Sequence, residues 1–388
     1  MKNMSLFSQV LTLFPRTDFL KMVKEHKSEY RAKGFTSWQQ LVAMLFCHLG
    51  KANSLSEITN GLASCEGKLR HLGIAMPKKS TLAYANEHRP WELFQSVFNG
   101  LLAQTVDVAA KHGHKFRFKS KLYSIDSTTI DLCQAMYPWA KFRRKKGAVK
   151  LHLRLDHDGY LPNFGLITDG KCHDVKAVWD MPFEADSITV FDRGYVDYSL
   201  FEHIAANNAW FVTRAKDNAD YTIIEEREFI EDSGVTADWI VQLNGYASQK
   251  KHPDVLRIVE FYDSEHNRTL RFLTNIMHLS SQTIAAIYKE RWQIELMFKT
   301  LKQNLKIKSF VGTSPNAVKI QIWTALIAIL LLKYLQLKSK FGWSMSNLAA
   351  LLRMNLFTYR NLWEWIDRPF DTPPDPIVEA EQMALVLG

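Results

Sequence analysis

Ala148-Val-Lys-Leu-His-Leu-Arg-Leu-Asp156 alternates apolar with polar residues, His157-Asp158-Gly159 supplies a turn, and Tyr160 to Thr168 (YLPNFGLIT) runs back. Two-residue alternation on both sides of an Asp-Gly turn predicts a β-hairpin. Upstream, Lys121 to Asp126 (KLYSID) alternates in the same way and reads as a strand that ends at or near its aspartate. Downstream, Ser187 to Asp192 (SITVFD) is a short apolar strand, also ending in an aspartate. Tyr198 to Asn207 suits a helix, and Trp210 to Arg214 (WFVTR) a fifth strand.

Three strands in a meander, then strands alternating with helices, predict an α/β core. Its expected form is a mixed five-stranded sheet with helices, laid out like ribonuclease H. The chain has 388 residues, too many for one ordinary core. Residues 1–110 read as a helical N-terminal domain. The core is expected over 115–216 and 281–310, interrupted by a β-rich insertion at 217–280. A helical region with a loose tail follows at 311–388. In the N-terminal part, Trp38 to Leu49 is a helix opened by Thr36 or Ser37, and Ser54 with Glu57 gives a capping-box signal. A further short helix is expected within 77–89. Lys78, Lys79 and Arg89 around it permit a helix-turn-helix DNA reader; a plain helical bundle fits as well.

Lys plus Arg number 49 against 40 Asp plus Glu, a formal charge of +9, which permits a polyanionic partner. The four cysteines, Cys47, Cys65, Cys133 and Cys172, lie far apart without a CxxC pair, so reduced thiols are expected. The N-terminus lacks the pattern of a signal peptide. The apolar run Ile320 to Leu332 is short for a bilayer and carries Gln321 and Thr324, so it reads as a buried helix, with no membrane partner expected.

A long helix is expected from about Ser281 to Lys306. At about 100° per residue, Tyr288, Arg291, Glu295, Lys299, Lys302 and Lys306 fall on one stripe roughly 80° wide, with Glu290 on the far side. Two readings stand. The stripe is a solvated face with ordinary i,i+4 pairs, or it is a phosphate-lined groove holding one metal-ligating carboxylate. The strand aspartates favour the groove. In the expected sheet the first and fourth strands are neighbours, so Asp126 and Asp192 stand side by side. Adjacent carboxylates repel unless a cation lies between them. A hard cation such as Mg²⁺ suits oxygen ligands, and Glu295 would complete a site for two ions about 4 Å apart. Among rival acids, Asp156 and Asp158 belong to the hairpin and Asp131 lies beyond the first strand. Asp174 remains a candidate.

Tyr288-x2-Arg291-x3-Glu295-x6-Lys302 resembles the signature of bacterial insertion-sequence transposases of the DDE group, whose core carries a β insertion before its glutamate. Asp192-Arg-Gly-Tyr195-x2-Tyr198 and Ile125-Asp126-Ser-Thr resemble that family's two aspartate motifs. The likeness covers roughly 120–310, and the N-terminal segment resembles the helical domain that precedes the core in one branch. It implies that Asp126, Asp192 and Glu295 bind Mg²⁺ or Mn²⁺, two ions per site. Tyr288, Arg291 and Lys302 would then contact phosphates at the element's end. It further implies cut-and-paste joining of 3′-hydroxyl ends to target DNA, with double-stranded terminal repeats and target as partners. A homodimer in the synaptic complex and a bacterial cytoplasmic, nucleoid-associated location are also expected. Lys299, Lys306 and the basic segment with Arg143, Arg144, Lys145 and Lys146 are further DNA-backbone candidates. Trp239 is a weaker candidate for stacking on a flipped base. The alternatives are a metal-dependent nuclease without strand transfer, or a DNA-binding protein with a decayed site.

Overall fold

The computed structural model describes residues 4–371 apart from 144, 145, 232, 306 and 308, with the backbone alone at 66, 141–143, 146 and 247. The helices α1 (Leu6–Leu11), α2 (Arg16–Glu25), α3 (Ser37–Leu49), α4 (Leu55–Ala63), α5 (Glu66–Leu72), α6 (Lys79–His88) and α7 (Glu92–Ala109) come first. Helix α3 starts at a full capping box formed by Thr36 and Gln39. At α4 only half of the expected box forms. The Ser54 hydroxyl accepts from the Glu57 N–H, but the Glu57 carboxylate turns to the Asn53 N–H instead. The DNA-reader expectation also changes here. Helix α5 intervenes between α4 and α6, and Arg89 is buried, donating to Gln40 Oε1 and the Phe35 carbonyl. Lys78 and Lys79 stay exposed.

The strands follow as β1 (Lys121–Leu132), β2 (Lys141–Arg143), β3 (Lys146–Asp156) and β4 (Leu161–Asp169). After α8 (Asp174–Val178) come β5 (Ser187–Val190), α9 (Tyr198–Ala206) and β6 (Trp210–Arg214). The strands pair in the order β4-β3-β1-β5-β6, with β1, β5 and β6 parallel and β3 antiparallel to both β1 and β4. The hairpin turn puts Gly159 and Tyr160 at positive φ (68° and 54°).

The residues of the expected insertion are β-rich and add to the sheet of the core. Strands β7 (Tyr221–Glu226), β8 (Val235–Leu243), β9 (Leu256–Asp263) and β10 (Arg268–Thr274) continue the same one, because β10 pairs antiparallel with β6. The result is a ten-stranded sheet with β7 at one edge; the short α10 (Tyr246–Lys251) lies between β8 and β9. A buried pair inside this extension, Arg257 with Asp238, ties β9 to β8, and Arg257 also donates to the Ile276 and Leu279 carbonyls. Trp239 packs partly buried against an apolar cluster of the sheet.

The long helix predicted over 281–306 is two helices, α11 (Ser281–Glu290) and α12 (Trp292–Asn304), joined at Arg291. There the hydrogen bonds shorten to three-residue spacing, Arg291 N–H to the Tyr288 carbonyl and Ile294 N–H to the Arg291 carbonyl. Helix α13 (Pro315–Lys338) runs 24 residues, longer than its apolar run, and α14 (Met345–Asn355) and α15 (Leu362–Asp367) follow. Although α13 is long and apolar enough to cross a membrane, most of it is buried among other helices. One apolar cluster joins residues of α13 to α3, α7, α12 and the inner face of β3. The polar breaks in α13 are satisfied: Thr324 Oγ1 meets His48 Nε2 at 3.0 Å, and Gln321 bonds the Val311 N–H and the Ser309 carbonyl. None of the four cysteines forms a disulfide. The tail from 372 lies outside the described residues.

Candidate active site

Strand β1 does not stop at Asp126. Ser127-Thr-Thr-Ile-Asp-Leu132 continues its alternation, and β1 pairs with β3 as far as Leu132 against Gly147. Asp126 therefore projects from mid-strand, and Asp131 is still in β1, exposed. Strand β5 ends early, at Val190, and Asp192 begins a single 3₁₀ turn, Arg193–Tyr195, accepting from the Gly194 N–H at 2.8 Å. The two acids still stand level. Ser124 pairs with Val190 across the parallel strands, and each aspartate lies two residues further on.

Helix α12 lies over this end of the sheet. The Arg291 guanidinium reaches Asp126 Oδ2 at 3.4 Å and Glu295 Oε1 at 2.6 Å. One cation thus links the strand acid to the helix acid. Its Nε is buried with no partner among the described residues. Burial pulls the guanidinium down, but the Tyr288 phenol, Glu295 and Asp126 outweigh it and hold it above its ordinary value. Burial also pushes Asp126 up to about 7. The Ser127 N–H and Arg291 pull it back, while Asp192 and Glu295 push it further up. The three acids are therefore electrostatic neighbours, and the site demands positive charge.

The Tyr288 ring packs tilted against Phe272 of β10, centroids 4.7 Å apart, with the Arg291 guanidinium 5.8 Å from its ring. Burial raises its phenol, and Asp192 and Arg214 are among its charged neighbours. Lys302 Nζ donates to the Thr129 carbonyl at 3.1 Å, three residues past Asp126 on β1. Lys299 is exposed on α12. The break at Arg291 means that the predicted stripe is not one continuous helical face. Arg144, Lys145 and Lys306 lie outside the described residues, as do the side chains of Arg143 and Lys146.

The sequence left Asp174 as a candidate but did not reveal its partners. Asp174 accepts from Ser127 Oγ at 2.7 Å and Lys150 Nζ at 3.1 Å, and His152 Nδ1 faces it at 3.8 Å. Burial lowers His152 to about 4, so that ring is uncharged at neutral pH. Tyr195, in the turn after Asp192, brings a buried hydroxyl near Ser127, Asp126 and Asp174 without hydrogen-bonding geometry to any of them. Alternation along β1 puts Ser127 next to Asp126 but on the opposite face, which is a cue the sequence did offer. Asp156 and Asp158 are structural, holding Lys121. A separate group, Asp263, Glu265 and His266, has ligand atoms within 4.8 Å of one another at the exposed β9–β10 turn. Nothing beyond that proximity marks it as a metal site.

Residues 117–331 match the Transposase DDE domain family, and residues 2–75 match a domain of unknown function. The chain is 33% identical over 298 residues to a putative transposase, y4zB, of Sinorhizobium fredii, spanning 76% of this chain and 81% of that one. It is 32% identical to a probable transposase for insertion sequence element IS5377 of Geobacillus stearothermophilus, over 61% of this chain and 63% of that one. A piggyBac transposase synaptic complex with hairpin DNA aligns at TM-score 0.44 and 10% identity, covering 96% of this chain and 83% of that one, a likeness too low to carry an argument. A DDE domain match over more than half of the chain, with a relative of this identity and coverage, places it in a family whose chemistry uses a divalent metal. The chain belongs to the DDE transposases of bacterial insertion sequences.

Proposed function

We propose that this chain carries out cut-and-paste transposition: it binds the ends of its element, cleaves the strands hydrolytically and joins the 3′-hydroxyl ends to target DNA. The observation that carries this reading is the convergence of Asp126 on β1, Asp192 just past the end of the neighbouring parallel β5, and Glu295, tied to Asp126 through Arg291. The strand order and directions of β4-β3-β1-β5-β6 support a ribonuclease H-like core, with β7 to β10 as its insertion.

The residues fit a metal centre. All three donors are carboxylates, the set that hard Mg²⁺ or Mn²⁺ prefers, and two of them, Asp126 and Glu295, already share a guanidinium cation. Two bound ions per site would supply Lewis-acid activation and neutralise charge at phosphorus. Asp126 must give up its proton to act as a ligand. Arg291, released from the carboxylates, is then placed to donate to a phosphate oxygen, as its planar fork suits. Each step forms one P–O bond and breaks one. Water first displaces the 3′-oxygen at the element's end, and the freed 3′-hydroxyl then displaces a 3′-oxygen of the target. Tyr288, Lys299 and Lys302 border the path of the DNA backbone, and the positively charged residues around 143–146 and Lys306 are assigned to the same role. A homodimer would hold two ends together, in the bacterial cytoplasm near the nucleoid.

The test incubates the protein with duplexes carrying the inverted repeats that flank its gene, Mg²⁺ and a target plasmid. Joined product that disappears in Glu295→Gln supports the reading. Cleavage without joining supports the nuclease alternative, and no cleavage in Mg²⁺ or Mn²⁺ contradicts both.

A further inference from the structure

A second polar cluster lies where β1, the β3–β4 turn and the α11–α12 junction meet, next to the first. Ser124 lies two residues before Asp126, so strand alternation puts both on one face of β1. Its hydroxyl pairs with His157 Nε2 at 2.7 Å. His157 Nδ1 faces Glu290 Oε2 at 3.9 Å. Burial lowers this histidine to about 3, so the contact is of a neutral ring with a carboxylate. Glu290 accepts from Tyr160 Oη at 3.3 Å and from Lys115 Nζ. Glu290 is the last residue of α11, and Arg291 follows it directly. Ser124, His157 and Glu290 are 0%, 1% and 6% exposed.

The order Ser–His–Glu resembles a nucleophile relay, but a serine without exposed surface cannot meet a substrate. The arrangement is a brace. Tyr160 supports that view: a bulky residue held at φ 54° is disfavoured, and here that conformation carries its hydroxyl to Glu290. The Lys333 ammonium of α13 lies 5.6 Å from the same ring, so the brace also touches the helical core.

We propose that Glu290 is a positioning residue that locks the α11–α12 junction against the β3–β4 turn through Tyr160, a turn that His157 ties to β1 by its N–H on the Leu122 carbonyl and its ring on Ser124. It thereby sets the separation of Asp126 and Glu295 that shared metal ligation requires. This rests on the metal role of those acids proposed above. Partners outside the ligand shell commonly govern metal affinity.

The experiment is calorimetric titration of Mn²⁺ into the full chain without DNA, with unfolding midpoints in EDTA and metal-free binding of end DNA as companions. Glu290→Ala is expected to weaken Mn²⁺ binding about tenfold or more, with DNA affinity unchanged within about twofold. Glu290→Gln, which can still accept from Tyr160 and Lys115, is expected to restore binding to within about threefold of the parent. Unchanged Mn²⁺ affinity in Glu290→Ala overturns the proposal, as does a folded Glu290→Gln that binds as weakly as the alanine variant. If Glu290→Ala does not fold, Tyr160→Phe, which removes the hydroxyl bonded to Glu290, decides: weaker Mn²⁺ binding supports the brace, and unchanged binding overturns it. A parent protein that binds no Mn²⁺, or a Glu295→Gln variant that binds it equally well, contradicts the metal site itself and not the brace.

Discussion

Lowering the pH should compete directly with metal at Asp126. Burial and the neighbouring acids raise this carboxyl from 3.8 to about 7, and its side chain is only 19% exposed. The interval corresponds to about 4 kcal/mol of preference for the protonated form in the metal-free site. Because the folded value lies above the unfolded one, the stabilising contribution of this group is full below about pH 4 and is lost as pH rises through about 7. Asp156, raised to about 6 chiefly by burial, acts in the same direction. The metal-free protein should therefore melt at higher temperature at pH 5 than at pH 8. Metal binding requires the ionised carboxylate, so the sign reverses: apparent Mn²⁺ affinity should fall about tenfold per pH unit below 7 and be roughly a hundredfold weaker at pH 5 than on its plateau. Calorimetry at pH 5, 6, 7 and 8, in two buffers of different ionisation enthalpy, gives both the affinity and the number of protons released. Affinity that stays constant from pH 5 to 8, or the same slope in Asp126→Asn, would refute the assignment.

Three further outcomes are expected. Arg291→Ala removes the cation shared by Asp126 and Glu295, and should cost about 1.5–3 kcal/mol of stability in EDTA, largely recovered in saturating Mn²⁺; denaturant titrations with and without metal measure it. Asp238→Ala strands the Arg257 charge, 1% exposed, and should lower the urea-unfolding free energy by about 3–5 kcal/mol. Leu330→Ala hollows the centre of α13, where the side chain is fully buried, at a cost of about 2–5 kcal/mol, while Mn²⁺ affinity per folded molecule stays unchanged.

Much of this was legible in the chain because the informative patterns were local. The alternation of AVKLHLRLD and YLPNFGLIT located β3 and β4 to within two residues, and WFVTR matches β6. The spacing of Arg291 and Glu295 put their side chains together, since i,i+4 neighbours share a helix face. What escaped depends on tertiary contacts. The alternation past Asp126 is carried only by Thr128, Ile130 and Leu132, and pairing with β3 across the sheet decides that the strand runs on to Leu132. The break at Arg291 has no glycine or proline to signal it; it falls where Glu290 is held by Lys115 and Tyr160 and Arg291 turns toward Asp126. That the insertion's strands extend the core sheet was not legible, because the pairing of β10 with β6 joins residues about sixty positions apart. Arg89 looked like a surface cation in sequence, yet Gln40 and the Phe35 carbonyl hold it inside.

The most direct test of the account is a crystal structure of the chain in Mn²⁺, with data collected at the manganese absorption edge. The account expects anomalous peaks within about 2.0–2.3 Å of carboxylate oxygens from Asp126, Asp192 and Glu295, with Arg291 turned away from at least one of them. Peaks confined to Asp263, Glu265 and His266, or to other surface acids, with the Arg291 bridge intact, would contradict it.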